Sequence, residues 1–404
     1  MEISEQIRKL DQRLVRVAKT IEILKVLAWT VSVRDNFLSK WRTGQPELPK
    51  VPTKKLDYGS KRKELQSIMK CCDQQHPIGR FLYHTAESYL LAVRMLEHLG
   101  RPAFTKISAE LYGLPSDPLC NGQSLSAFDA GTHFLRYTSH STPAYALMAE
   151  DFCILPQYVA SEISKAVKKA FKQHKVRVFV DQQLVAKAAA GAERIRVRGS
   201  TCFSPMDIPQ LIHHEALTHT LTLLNGREQT NLLSLSLGAP RTTRTQEGLA
   251  LFSEFITTSI DMNRLRRISA RVVGIQRALE GADFIEIFRL FLDSGQNELE
   301  SFHSAMRIFR GGSVRGGVVF TKDVVYLQGL VMIHQFLLSS IQTGKVMYPH
   351  YLFAGRLSLL DIAELSTLFE SGLLKLPIYE PEWVKNRSAL LAFLLYSAFT
   401  QQLH

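Results

Sequence analysis

Near the start of the chain, apolar positions fall at Ile7, Leu10, Leu14, Val17, Ile21 and Leu24, in alternating steps of three and four. That seam predicts an amphipathic helix. Three heptads are few for a dimer, so the seam is expected to pack as the first helix of the domain. Residues 42–58 hold Gly44, Pro46, Pro49 and Pro52 with little apolar content, which predicts an arm over the surface. A strong helical pattern covers residues 80–99, through Phe81, Leu82, Ala86, Tyr89, Leu90, Val93 and Leu96, and stops at Gly100 and Pro102. Residues 154–175 read as a helix with a basic face. Val176-Arg177-Val178-Phe179-Val180 and Ile195-Arg196-Val197-Arg198 alternate and are rich in β-branched residues. They read as two strands joined through an alanine-rich turn, Ala188-Ala189-Ala190-Gly191.

Ser204 and Pro205 are expected to cap and open the next helix, which runs through Leu211 and Leu224 to Asn225-Gly226. A further helix is expected from about Thr245, capped by it, with Leu249, Phe252, Ser253 and Ile256 on its buried face. From Met262 onward the pattern is mostly helical, broken by the glycine-rich stretch Arg310-Gly311-Gly312-Ser313-Val314-Arg315-Gly316-Gly317. No Gly-Lys-Ser/Thr ends that stretch, so it is no phosphate loop; it reads as a loop near the cleft or a plain turn. The fold class is therefore α+β and mainly helical, with a small sheet just before a central helix. Residues 1–60 are expected to form an N-terminal helix and connecting arm, and residues 61–404 the main domain.

Composition narrows this picture. A hydrophobic fraction of 46% with 21% charged residues is that of a globular protein with a sizeable core. The net charge of +12 is moderate, and the basic clusters at residues 165–177 and 264–271 read as solvated helix faces. No nucleic-acid partner is expected. The membrane-like runs, residues 324–341 and 390–399, read as buried helices, and no membrane partner is expected either. Five cysteines (Cys71, Cys72, Cys120, Cys153 and Cys202) with no C-x-x-C pair argue against a disulfide framework. With no apolar core at Met1-Glu2-Ile3-Ser4-Glu5, a cytoplasmic location is expected.

The chemistry concentrates in Leu211-Ile212-His213-His214-Glu215-Ala216-Leu217-Thr218-His219 and in Gln246-Glu247-Gly248-Leu249-Ala250. Two imidazoles and a carboxylate on one Zn2+, with a free carboxylate beside it, make the ligand set of a one-zinc hydrolase. His214 and His219 are five apart. On a regular helix that turns them roughly 140° from each other, too far to share an ion. A π-type turn across residues 215–219 realigns them. His214, His219 and Glu247 are the expected ligands, and Glu215 the general base that takes a proton from the activated water. His213 points about 100° away and is expected behind the ligands or at the surface.

The five-apart histidine motif, Asn225-Gly226 and Gln246-Glu247-Gly248-Leu249-Ala250 together resemble the bacterial flavohemoglobin expression-modulating QEGLA motif proteins. That family is similar to the microtubule-associated tyrosine carboxypeptidases. Further matching residues are Val180-Asp181, Ile195-Arg196-Val197-Arg198 and Phe320-Thr321-Lys322-Asp323-Val324-Val325-Tyr326-Leu327, so the resemblance runs from about His76 to Leu330. It implies a zincin-like metallopeptidase, a carboxypeptidase acting on peptide or protein C-termini. Such an enzyme needs a cation for the terminal carboxylate, and Arg244, Arg310, Arg315 and Lys322 are the candidates. Tyr326 is the candidate donor to a developing oxyanion. Arg196 and Arg198 sit on the strand before the active helix. The other reading is a regulatory or binding protein that keeps zinc without catalysis, but such a site has no use for Glu215. The oligomeric state stays open.

Overall fold

The computed structural model describes residues 4–52, 56–119, 124–146 and 153–401, so Cys120 and the Met1–Ile3 start lie outside the described residues. The N-terminal seam forms the helix Glu5–Ala18, whose Leu10, Leu14 and Val17 are buried. They pack on the helices Gly59–Cys71 and Pro77–Leu96, so the seam is consumed inside the chain. Asp11 leaves the same face to accept hydrogen bonds from the backbone N–H groups of Leu233 (2.6 Å) and Ser234 (3.0 Å). It thereby pins the turn that follows the central helix. The helix Val31–Arg42 sets Phe37 edge-on against Phe284 and Phe288, each at 5.0 Å. Pro77–Leu96 begins three residues before the apolar pattern predicts, because the His76 imidazole accepts from the Ile78 N–H and Pro77 fills the first turn.

Three strands form one sheet in the order β1-β3-β2, where β1 is Arg177–Asp181, β2 Ala188–Ala190 and β3 Arg194–Arg198. The alanine-rich stretch is thus a strand and not the turn its composition suggested; β2 runs antiparallel to β3, and β1 parallel to it. Ile195 and Val197 are fully buried. The helix Pro156–Ala170 covers β1 and β3 and keeps Lys165, Lys168 and Lys169 in solvent, as its pattern predicts.

Cys153 and Cys202 are joined by a disulfide next to the backbone pair Ile154–Phe203. This corrects the expectation drawn from the odd cysteine count. Cys71 and Cys72 are free.

Two long helices complete the frame. Val325–Gln342 belongs to the one stretch among the described residues long and apolar enough to cross a membrane, yet its Ile333 and Leu337 are fully buried. It packs along Thr243–Ile256, and the two backbones meet at Gly248 and Gly329. A Cβ on Gly248 would lie 2.3 Å from the Gly329 carbonyl, so only glycine permits this approach. Thr243–Ile256 starts ahead of the expected Thr245, which is buried within it and caps nothing.

Candidate metal centre

The central helix is continuous but changes type along its length: Asp207–Leu211 is α, Ile212–Thr220 is a π-helix and Leu221–Arg227 is α again. Its start lies past Pro205; Ser204 and Asp207 instead exchange bonds, Ser204 N–H to the Asp207 carboxylate and Asp207 N–H to the Ser204 hydroxyl. In a π-turn each N–H reaches five residues back, so residues five apart become neighbours. The Thr218 hydroxyl adds a bond to the His213 carbonyl at 2.8 Å, which steadies the wide turn. His214 and His219 consequently face one another, with ring centroids 4.8 Å apart and planes at 90°.

Glu247 arrives one turn into Thr243–Ile256. Its Oε2 lies 3.5 Å from His214 Nε2 and 3.6 Å from His219 Nε2. Donors around a tetrahedral zinc, with bonds of ~2.0–2.1 Å, stand roughly 3.3 Å apart. All three ligand atoms lie within 4.8 Å of one another, the spacing a shared ion requires. The other Glu247 oxygen accepts from Lys322 Nζ at 3.2 Å.

The imidazole orientation is fixed from behind. His214 Nδ1 is 2.6 Å from Oε1 of Glu254, a fully buried carboxylate two helical turns after Glu247. Arg264 grips Glu254 through both Nε and Nη2, at 3.1 and 3.0 Å, and Gln210 donates to it at 3.1 Å. Burial alone would raise the Glu254 carboxyl, but Arg264 and His214 outweigh it and hold it at about 2. Glu247 is partly exposed, and although desolvation would raise it, Lys322 and the two histidines keep it well below the usual carboxylate range. Burial and the neighbouring His214 push the His219 pKa down. Against its burial, Glu247 and Glu254 raise the His214 pKa to about 9. The cluster is therefore two ionised carboxylates around two histidines with Nε2 turned inward, a donor set that fits Zn2+ with release of the His214 proton.

Glu215 follows His214 and is not part of this cluster. Its Oε2 accepts from the Ala190 N–H at 3.0 Å, which ties the edge strand β2 to the central helix. Tyr326 is buried between Arg264 and Lys322, both near 6 Å from its ring, and burial with Glu247 close by raises its hydroxyl pKa. His213 is half-buried, its Nδ1 without a partner among the described residues.

Of the cations expected near the site, Lys322 bonds Glu247, and the other three make different contacts. Arg244 donates to the Tyr112 carbonyl at 2.9 Å. Arg310 is buried over the Phe320 ring, 5.2 Å from its centroid. Arg315 is exposed on the glycine-rich loop, where Gly311 abuts Leu27 and Phe104 and Gly316 abuts Gly281. In their place Lys187, Arg198, Arg264, Arg267, Arg271 and Arg307 line a cavity of about 110 Å³ that also touches His214, Glu215 and Tyr326. The 264–271 cluster is thus a cavity wall and not the solvated face its charge suggested. Its signal was periodic: Arg264, Arg267 and Arg271 recur at the spacing of one helix stripe, interleaved with the buried Ile268, Val272 and Ile275.

The sequence profile of the microtubule-associated tyrosine carboxypeptidases matches residues 35–402. The chain belongs to this family. A tyrosine carboxypeptidase family member implies a carboxypeptidase-type activity on a protein or peptide, and the match covers every residue of the centre just described. The sequence matches no curated protein.

Proposed function

We propose that this chain is a zinc-dependent metallopeptidase with a zincin-like active site, removing residues from the C-termini of peptides or proteins. The observation that carries the reading is the convergence of His214, His219 and Glu247 beside a separate carboxylate, Glu215, on the same helix. Zinc, when bound by the three ligands, supplies Lewis acidity, lowering the pKa of water and polarising a carbonyl. Glu215, held by the Ala190 N–H, accepts a proton from the attacking water and delivers it to the leaving amine. The edge strand β2 offers backbone groups to an extended substrate. Tyr326 donates to the oxygen that gains charge. The terminal carboxylate is anchored by the arginines of the cavity, not by Arg244, Arg310 or Arg315.

The test pairs two variants. Glu215→Gln is expected to retain zinc and lose about 10²–10⁴-fold in turnover of a C-terminal peptide library. His214→Ala is expected to lose both zinc and turnover. Zinc retained with no hydrolysis by the wild type would favour a non-catalytic regulatory protein.

A further inference from the structure

The helix Arg387–Gln401 carries two apolar stripes, and the chain buries one of them. It runs antiparallel to Val325–Gln342, with Arg387 beside the Met347 sulfur at one end and Ser397 hydrogen-bonded to the His334 ring at the other. Leu390 and Leu394 are buried on that side, and Phe393 packs edge-on against Phe252. The opposite side faces solvent. Ser388, Leu391, Ala392, Leu395, Tyr396 and Phe399 recur at the spacing of one helix face, and all are exposed, Tyr396 at 69% and Phe399 at 57%. Residues 390–399 are therefore not the buried helix that their composition predicts. No charged residue occurs from position 388 to position 401.

Water is a poor neighbour for such a face. Its large side chains leave roughly 500 Å² of apolar surface exposed, a patch of the size that marks a contact surface. Its composition narrows what covers it. A strongly charged partner finds no counter-charge there. A bilayer surface is a poor match, because helices that lie in one carry Lys and Arg on their polar side, and here the other side is turned into the protein. Nor does the helix span a bilayer: its 15 residues make roughly 22 Å, against a hydrocarbon core of ~30 Å. A second copy of the same face fits on each count. Doubled across a two-fold axis, the patch removes about 1,000 Å² from water, the size at which a specific interface begins. Leu391, Leu395 and Phe399, four apart, form one ridge, and the small side chains of Ser388 and Ala392 leave a groove beside it for the ridge of the copy.

We propose that two copies of this chain pair through Arg387–Gln401, related by a two-fold axis that passes near Leu395. Their ridges interlock, and the helix axes cross at about 50°. The N-terminal seam is consumed inside the chain, whereas this stripe is left for the second copy. Pairing also braces Val325–Gln342, whose Gly329 meets Gly248 next to Glu247.

The test is sedimentation equilibrium on the full chain without lipid. At about 10 µM the wild type is expected to have the mass of a dimer. Leu395→Glu and Leu395→Lys each set like charges against one another across the axis, and each is expected to weaken pairing at least about a hundredfold. Mixed in equal amounts, the two variants are expected to pair again. If either variant fails to fold, the wild-type mass decides alone. A wild type that is monomeric at about 100 µM overturns the proposal. So does a dimer that both charge variants leave intact, since its contact lies elsewhere, and so do variants that stay monomeric when mixed. Flotation with phosphatidylcholine vesicles checks the other occupant: a wild type that is monomeric in solution and floats, while both variants do not, makes the face a lipid-binding one and overturns pairing as well.

Discussion

His214 Nδ1 and Glu254 Oε1 are 2.6 Å apart, and Glu254 has no exposed surface. This carboxylate fixes the imidazole's tautomer and its aim, so Nε2 is the nitrogen left for the ion. Glu254→Gln, which keeps the shape and loses the charge, is expected to weaken zinc binding by about 10–100-fold. Competition with a fluorescent chelator measures it, and an unchanged affinity would show that His214 needs no partner. Glu254→Ala additionally strands the buried Arg264 and is expected to cost about 3–5 kcal/mol in denaturant unfolding.

Gly248 follows a metal ligand directly and touches the Gly329 backbone. Gly248→Ala forces the two helices apart, at a cost of about 1–3 kcal/mol or more. Because Glu247 moves with that backbone, zinc affinity is expected to fall together with the thermal midpoint. Gly238→Ala, at a site with open space around it, is the control and is expected to change neither.

Asp323 is buried, which would raise its pKa, but Arg307, Arg271 and Lys322 hold it well below the usual carboxylate range. A carboxyl depressed in the folded state contributes stability that is complete above its unfolded value of about 3.9 and is lost as pH falls below that. Wild-type stability is therefore expected to drop on acidification from about pH 4 downward, and Asp323→Asn to show a shallower drop. At neutral pH the variant is expected to be less stable by about 3–5 kcal/mol, since Arg307 loses its buried partner. Urea titrations at both pH values decide this; parallel acid profiles would locate the sensitivity elsewhere.

Metal removal gives the fourth expectation. A ligand that binds only the folded state stabilises by RT ln(1 + [L]/Kd), about 2.7 kcal/mol at a hundred times Kd. The midpoint of wild type and of Glu215→Gln should rise alike with added zinc after chelator treatment. The midpoint of His219→Ala should stay flat. A zinc-dependent rise in His219→Ala would remove that residue from the ligand set.

What the sequence made legible was local and periodic. The five-residue interval between His214 and His219 required a widened turn, and that turn is present. The N-terminal seam and the strands at residues 176–180 and 195–198 announced themselves by their periods. Ala188–Ala190 did not, because alanine has little strand preference and its pairing to β3 comes from tertiary contact. The cations that line the cavity were not legible for a similar reason. Nearness to the glycine-rich loop favoured Arg310 and Arg315, whereas the helix Met262–Leu279 brings Arg264, Arg267 and Arg271 to the site from a distance no spacing rule measures. Glu254 could have been found, since two turns separate it from Glu247 on one face.

The widened turn at residues 212–220 has an effect beyond this molecule. Fingerprints that demand an interval of four between paired histidines pass over every chain built with the extra residue, and genome surveys relying on them undercount such sites. Allowing one added position, with a Gln-Glu-Gly-Leu-Ala stretch some thirty residues downstream, would bring them into view.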